Sequence, residues 1–117
     1  MQRIHNFFNF SKKIRLFVQS EINPQVRLTI EATEGEILAK ELKKHKVPLA
    51  FECGFSCSCS TCSVLLANSN DYNKIQIAQP QSQEEINVLT TEGKGGRVRL
   101  SCQINVCKEL EGVTLLI

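Results

Sequence analysis

The chain has 117 residues, and its 14 basic and 12 acidic side chains leave a formal net charge of +2 at neutral pH. It is 42% apolar and 22% charged, the composition of an ordinary globular domain, and it contains no run of about 18 apolar residues that could cross a membrane. So small a charge excess excludes a protein that binds nucleic acid mainly by charge. The aromatic residues, six Phe and one Tyr without Trp, offer no clear platform for stacking bases.

The first residues of the chain form a basic segment. Residues 1–13 (MQRIHNFFNFSKK) contain Arg3, Lys12 and Lys13 together with aromatic residues and no Asp or Glu. This composition is typical of an organellar presequence, and a terminus without fixed structure or covered by a partner would show the same pattern. We expect residues 1–13 to be an N-terminal extension and residues 14–117 to form a single domain.

Two segments with alternating apolar residues follow. In residues 14–19 (IRLFVQ) and in residues 26–32 (VRLTIEA), every second residue is apolar, so the apolar side chains lie on one face; this is the pattern of a half-buried strand. Pro24 and its polar neighbours lie between them and favour a turn. The two segments are therefore predicted to form a β-hairpin.

A helix is predicted next, over residues 34–45. Thr33 and Glu36 fit a capping box, in which the Thr side chain accepts from backbone N–H groups and the Glu three residues later bonds back. The stripe expected to face inward consists of Ile37, Leu38 and Leu42. Four basic residues near the helix end suit the negative end of the helix dipole and are interpreted as a solvated face: Lys40, Lys43, Lys44 and Lys46.

The rest of the chain is predicted to mix short strands, helices and turns. Residues 68–74 (NSNDYNK) are polar and are interpreted as a turn. Ser82 and Glu85 fit a second capping box, before a short helix at 84–90. Strands are predicted at residues 64–67, 97–106 and 113–117. Strands and helices intermixed over one small domain indicate an α+β fold.

Six cysteines stand at positions 53, 57, 59, 62, 102 and 107. Disulfide scaffolds usually spread their cysteines through secreted chains, whereas four of these fall within residues 53–62. The first residues also lack the apolar core of a secretory signal. Metal binding is therefore the better interpretation of the cysteines.

The cysteine spacing favours an iron–sulfur cluster. Cys53, Cys59 and Cys62 give the pattern C-x5-C-x2-C within one loop, and Cys102 follows after 39 further residues. Three thiolates from one loop and a distant fourth are an arrangement that a cluster accepts readily. Structural zinc more often takes two C-x2-C pairs, so a structural zinc-binding interaction module is the alternative from a different class.

The segments CGFSCSCSTC (53–62) and RLSCQI (99–104) resemble the [2Fe–2S] ferredoxins of the adrenodoxin type. The closer likeness is to the iron–sulfur-cluster-assembly (Isc) ferredoxins, which share the C-x5-C-x2-C loop, an S-x-E-E helix start and an R-L-S-C-Q or R-L-G-C-Q segment. The resemblance implies a β-grasp-like ferredoxin fold: a mixed sheet with short helices and a cluster-binding loop. It also implies that a [2Fe–2S] cluster is held by Cys53, Cys59, Cys62 and Cys102.

The same resemblance implies a one-electron carrier rather than an enzyme, and the sequence shows no catalytic motif. The implied electron donor is a flavoprotein ferredoxin reductase, and the implied acceptor is the cysteine desulfurase–scaffold complex of cluster assembly. A haem monooxygenase or an anaerobic oxidoreductase is the alternative acceptor. We expect a monomer that binds no nucleic acid. The basic first residues and the resemblance favour the mitochondrial matrix or a related organelle, with the bacterial cytoplasm as the alternative.

The second predicted helix is the expected contact with a redox partner. Glu84 and Glu85 are the side chains expected to meet a basic patch on that partner. The family usually offers further carboxylates in this helix, where the present chain has Asn87 and Thr90. Charge should therefore contribute less to docking than in the family at large.

Two cysteines are left outside the implied ligand set. Cys57 is interpreted either as a residue with a role in sulfur chemistry or alternative ligation, or as a small residue packed under the loop. Cys107 is predicted to be a packed strand residue.

Overall fold

The structure, a computed structural model, describes residues 12–49, 62–91, 93 and 96–117. Within that part of the chain, five strands form one mixed sheet: β1 (Lys13–Gln19), β2 (Arg27–Thr33), β3 (Ser63–Leu66), β4 (Val98–Leu100) and β5 (Val113–Leu116). Three helices are α1 (Leu38–Lys44), α2 (Ser69–Ala78) and α3 (Gln83–Thr91). Two short 3-10 turns span Ser101–Gln103 and Lys108–Leu110.

The strands lie in the order β2-β1-β5-β3-β4. Leu16 of β1 is opposite Ile30 of the antiparallel β2 and opposite Val113 of the parallel β5. β3 is antiparallel to both β5 and β4. The predicted hairpin and the predicted α+β fold with a mixed sheet are therefore confirmed.

One face of the sheet carries the core. Alternation in β1 buries Ile14, Leu16 and Val18 completely, because successive side chains of a strand point to opposite faces. The inward residues of the helices join the same buried cluster: Leu38 and Leu42 from α1, Ile75 from α2 and Leu89 from α3. None of the helices in the described residues is both long and apolar enough to cross a membrane.

The first helix begins later than predicted, and the capping box at Thr33 is wrong. β2 continues through Thr33, whose hydroxyl accepts a hydrogen bond from Lys13 Nζ at 2.8 Å instead of capping a helix. Gly35 then takes a left-handed conformation (φ 94°) that turns the chain. The N-cap is Ile37, whose side chain makes no capping bond.

The predicted turn at 68–74 is also wrong, because these residues begin α2. Asn68 is the N-cap, and its side chain accepts from the backbone N–H groups of Asn70 and Asp71. Asn, Ser and Asp favour turns and helix N-termini for the same reason, since their short side chains bond nearby backbone groups. The start of α3 is confirmed, because Ser82 Oγ accepts from the N–H of Glu85 at 3.1 Å.

The predicted boundary of the N-terminal extension lies largely outside the described residues. β1 begins at Lys13, and residues 1–11 are not among those that the structure describes. The extension therefore stays a prediction.

Candidate metal centre

Two of the four predicted ligands, Cys62 and Cys102, lie together at one end of the β3–β4 pair. Cys62 immediately precedes β3, and Cys102 lies in the 3-10 turn that follows β4. Ser63 is opposite Leu100 in the antiparallel register, so Cys62 and Cys102 meet here although 39 residues lie between them in the chain. Both cysteines are buried; Cys62 is 0% exposed and Cys102 is 6% exposed.

The position of Cys102 differs from the predicted strand over residues 97–106. β4 ends at Leu100, and the 3-10 turn Ser101–Gln103 replaces the strand at the ligand itself. Ser101 fixes this turn against Cys62, because its N–H and its hydroxyl both donate to the Cys62 carbonyl, at 3.1 and 2.7 Å. In this turn the Cys102 thiol lies within hydrogen-bonding reach of the Cys62 thiol.

The electrostatics of the pair fit a site for a thiolate-bound metal. The pKa of the Cys62 thiol is raised, first by its hydrogen bond with the Cys102 thiol and then by burial. The backbone N–H of Cys102 and the side chain of Ser101 oppose this rise in the pKa, because both favour the Cys62 thiolate. Gln103 Nε2 donates to Cys102 Sγ at 3.5 Å.

A soft metal can replace the thiol protons of such a pair. Buried thiols have no water to stabilise their charge, so metal binding itself must enforce ionisation. Hydrogen bonds to the sulfurs then offset the negative charge that remains, as donors around iron–sulfur clusters do. Cys62 and Cys102 therefore fit two of the four thiolate positions of a [2Fe–2S] cluster. The other predicted ligands, Cys53 and Cys59, lie outside the described residues, as do Cys57 and most of the cysteine-rich loop.

A buried ion pair supports the strand that leads to Cys102. Arg99 and Glu85 are both fully buried, and the guanidinium bonds the carboxylate through Nε–Oε2 at 2.7 Å and Nη2–Oε1 at 3.0 Å. Glu85 Oε2 also accepts from the N–H of Leu100 at 2.9 Å. The pair therefore attaches α3 to the residue two places before Cys102.

The prediction that Glu85 contacts a partner is consequently wrong. Its carboxylate faces the β4 side of the helix and is completely occupied by Arg99 and Leu100. Glu84, one residue earlier, is exposed and stays a predicted partner contact. Sequence reasoning missed the ion pair; the sequence shows Arg99 three residues before the last ligand and two adjacent acids, Glu84 and Glu85, and does not say which acid the Arg meets.

Cys107 is not a strand residue; it precedes the 3-10 turn Lys108–Leu110 and is half-buried. Its pKa is raised, mainly by burial and then by its hydrogen bond with Glu109. The Gln79 carboxamide donates to its sulfur at 3.3 Å. The Cys107 thiol therefore lies beside the C-terminal end of α2, and its exclusion from the ligand set stays a prediction.

Residues 20–107 match the sequence model of the family described as the 2Fe-2S iron–sulfur cluster binding domain. The chain is similar to the mitochondrial adrenodoxin homolog of Saccharomyces cerevisiae, with 32% identity over 85 residues, 73% of this chain and 48% of that protein. It is equally similar to the 2Fe-2S ferredoxin of Rickettsia prowazekii, with 32% identity over 92 residues, 79% of this chain and 80% of that protein. The chain thus spans about half the length of the mitochondrial relatives it matches.

Solved structures show the same fold. A reduced variant of putidaredoxin from Pseudomonas putida superposes with a TM-score of 0.74 at 24% identity, covering 88% of this chain and 94% of that one. Putidaredoxin in a covalent complex with putidaredoxin reductase gives 0.73 at 25% identity, with 88% and 96% coverage. The ferredoxin fold predicted from the resemblance is therefore confirmed.

The match also decides between the two predicted kinds of metal site, since its domain is defined by a [2Fe–2S] cluster rather than by zinc. Ferredoxins are electron carriers rather than enzymes, and the relatives bear that name. A buried thiol pair at one end of the β3–β4 pair, the ferredoxin fold and a match over most of the chain agree: the protein belongs to the 2Fe-2S iron–sulfur cluster binding family and is similar to the ferredoxins of the adrenodoxin type.

Proposed function

We propose that the protein carries single electrons from a flavoprotein ferredoxin reductase to the iron–sulfur cluster assembly machinery, on a cluster bound by Cys53, Cys59, Cys62 and Cys102. The observation that carries the ligand set is the burial of Cys62 and Cys102 side by side, although 39 residues separate them in the chain. The C-x5-C-x2-C spacing supplies the other two.

The described residues hold and insulate this end of the site. When bound, a [2Fe–2S] cluster supplies one-electron oxidation and reduction. Ser101 fixes the backbone at Cys62, and Gln103 donates to the Cys102 sulfur. Burial of both sulfurs keeps water away from them, so the hydrogen bonds act in a medium where they are stronger than in water.

Ligand substitutions test the site. Cys→Ser at 53, 59, 62 or 102 should abolish the cluster or make it labile, because the hard hydroxyl replaces a soft thiolate. Visible absorption, iron content and acid-labile sulfide should fall together. Thermal stability should fall with them, because the binding energy of the cluster is part of the stability of the holoprotein.

Cys57→Ser and Cys107→Ser are the matched controls, and both should retain iron, sulfide and colour. A cluster that survives the loss of Cys53 but not the loss of Cys57 would overturn the assignment in the loop. A cluster that survives Cys102→Ser would overturn the assignment at the 3-10 turn.

The covalent complex of putidaredoxin with its reductase supports a flavoprotein reductase as the electron donor. Glu84 is the exposed acid of α3 available to such a partner in the described part of the helix. Glu84→Lys should slow reductase-coupled reduction at low ionic strength and have little effect at high salt, because exposed charges are screened. Glu31→Lys, on the opposite sheet edge, is the control; equal slowing by both variants would contradict a specific contact.

We propose the cluster assembly complex as the electron acceptor. Cluster assembly is supported by the Isc-like segments CGFSCSCSTC and RLSCQI, whereas the similarity to adrenodoxin homologs favours a haem monooxygenase as the second candidate. The reduced protein should be offered to a cysteine desulfurase–scaffold complex and to a haem monooxygenase, each with its own substrates. Reoxidation by the monooxygenase alone would contradict the assembly role.

The compartment is proposed on similar grounds. Relatives include mitochondrial proteins and bacterial ferredoxins, and the basic residues 1–13 favour the mitochondrial matrix or a related organelle. Import of the full chain into isolated mitochondria tests this proposal, and a variant lacking residues 1–11 is the control. Failure of the full chain to be imported would favour the bacterial cytoplasm.

A further inference from the structure

Gln79, at the C-terminal end of α2, is bonded to both flanks of the turn that carries Cys102. Its backbone carbonyl accepts from Arg99 Nη1 at 2.8 Å, three residues before Cys102. Its side chain bonds the backbone of Asn105, three residues after Cys102: Nε2 donates to the Asn105 carbonyl and Oε1 accepts from the Asn105 N–H, both at 2.8 Å. One residue therefore spans the whole ligand turn.

The carboxamide of Gln79 bonds the backbone of Asn105 as a neighbouring strand would. The segment after Cys102 is extended, so alternate residues direct their backbone groups to opposite sides. On one side Ile104 and Val106 bond the chain at the start of α1: Leu38 N–H donates to Ile104 O at 2.8 Å, and Val106 N–H donates to Glu36 O at 2.8 Å. Asn105 faces the other side, where Gln79 satisfies both of its backbone groups.

Gln79 is itself held firmly. It is the C-cap of α2, and its N–H donates to Ile75 O at 2.7 Å. Its carbonyl and both side-chain polar atoms have the partners described above, and Nε2 also lies 3.3 Å from Cys107 Sγ. Pro80 follows and cannot extend the helix. Because every polar group of the residue is engaged, a displacement of Asn105 would break bonds to a fixed support.

We propose that Gln79 is a positioning residue for the Cys102 sulfur. It acts through the 3-10 turn, because it fixes the chain on both sides of that turn. This inference rests on the proposed role of Cys102 as a cluster ligand. The near-complete burial of Cys102 depends on that turn remaining closed against Cys62. Loosening one flank admits water to the sulfur, and water favours the more negatively charged, reduced form of the site.

The test compares wild-type holoprotein with Gln79→Met, which keeps side-chain length but cannot bond Asn105. The expected result is a more positive midpoint potential, an altered visible circular dichroism spectrum and faster loss of iron to a chelator, in line with the loss of about 10- to 100-fold in metal affinity that is usual when a residue supporting a ligand is replaced. The control is Asn68→Ala, which weakens the same helix at its other end by removing the N-cap. That variant should lose thermal stability without a shift in potential.

Gln83→Ala is a second control, since this exposed glutamine bonds Asn87 within α3 and does not touch the ligand turn. Hydrogen exchange in the wild-type protein needs no variant and keeps the proposal testable if Gln79→Met does not fold. The Asn105 amide should be protected from exchange. Rapid exchange there would overturn the proposal.

Cys102→Ser and Gln79→Met test the ligand assignment and the role of Gln79 separately. If Cys102→Ser keeps a normal cluster, the ligand assignment fails and the role of Gln79 fails with it. If Cys102 is required but Gln79→Met leaves the potential, the spectrum and the chelation rate unchanged, only the role of Gln79 is overturned. A potential shift of equal size in Asn68→Ala would also overturn it, because the effect would then be one of general helix stability.

Discussion

The two edge strands of the sheet are each attached to a helix by a buried glutamate, but the two attachments differ in their counter-charge. At one edge Glu41 of α1 accepts from the N–H of Thr33 in β2 at 2.9 Å. At the other edge Glu85 of α3 accepts from the N–H of Leu100, the last residue of β4, also at 2.9 Å. Each carboxylate thus accepts a hydrogen bond from an edge-strand N–H that has no neighbouring strand to bond.

The counter-ions of these glutamates lie in opposite environments. Glu85 pairs with Arg99, whose side chain is 1% exposed, whereas Glu41 pairs with Lys44, whose side chain is 59% exposed. Without Glu85 the Arg99 charge stays buried, whereas without Glu41 the Lys44 charge can turn to water. The edge beside the cluster site is therefore costly to disturb, whereas the far edge is tolerant.

The largest expected effect comes from Glu85→Gln. The amide can still accept from Leu100 but leaves the Arg99 guanidinium buried without a counter-charge, so we expect a loss of about 3–5 kcal/mol in the free energy of unfolding. Chemical denaturation of the holoprotein measures it. Iron loss should also accelerate, because Leu100 lies two residues before Cys102.

The matched comparison is Glu84→Gln, which changes the exposed neighbour on the same helix and should be within about 0.5 kcal/mol of wild type. If the two substitutions had equal effects, the ion pair would not be the support described here. A double variant that replaces Glu85 and Arg99 by apolar residues should recover part of the stability lost in Glu85→Gln.

The contrast between Glu84 and Glu85 also shows why the site could be predicted only in part. The cysteine spacing named Cys62 and Cys102 among the ligands, and the structure places these two thiols side by side. Which of two adjacent acids faces the sheet depends on the rotation of α3 about its axis, which is set by the packing of Leu89 and by Arg99 in a strand 14 residues away. Motif reasoning that placed both carboxylates at a partner surface had no means to distinguish them.

The fold, too, could be predicted from the sequence only in part. β1 and β2 were predictable because their alternation is strong and each needs only its own sequence. α2 was missed because it buries only Ile75 and opens with the polar run at Asn68, which satisfies a turn and a helix start equally well. The 3-10 turn at Cys102 was missed because nothing local ends β4 there; its closing bonds come from Cys62 and, on the far flank, from Gln79.

A smaller effect is expected at the far edge, from Glu41→Gln. Burial alone would raise the pKa of Glu41, but the Thr33 N–H and Lys44 outweigh it, and the folded-state pKa lies below the ordinary 4.5. A carboxyl with a lowered pKa stabilises the fold above its unfolded-state pKa, and this contribution is lost as the pH falls through the folded-state value. Glu41→Gln should therefore cost about 1 kcal/mol near neutral pH, and the difference should shrink below about pH 4.5.

Paired denaturation curves of wild type and Glu41→Gln at matched pH values measure this difference. Glu31→Gln, an exposed carboxylate in β2, serves as the control and should show no such trend. A gap between wild type and Glu41→Gln that widened on acidification would contradict the role of the carboxylate.

The smallest effect is expected from Lys44→Met. Its Nζ lies 3.2 Å from Glu41 Oε2, but an exposed pair of this kind contributes only about 0.2–0.5 kcal/mol. Lys44 also helps to lower the pKa of Glu41, so its loss should move the acid end of the stability profile slightly towards higher pH. Lys40→Met, an exposed substitution on the same helix, is the control, and both differences should vanish in about 1 M salt. The free energy of unfolding lost in Lys44→Met could instead equal the loss in Glu85→Gln. The far edge would then depend on its counter-ion as strongly as the cluster edge does, and the distinction between the two edges would fail.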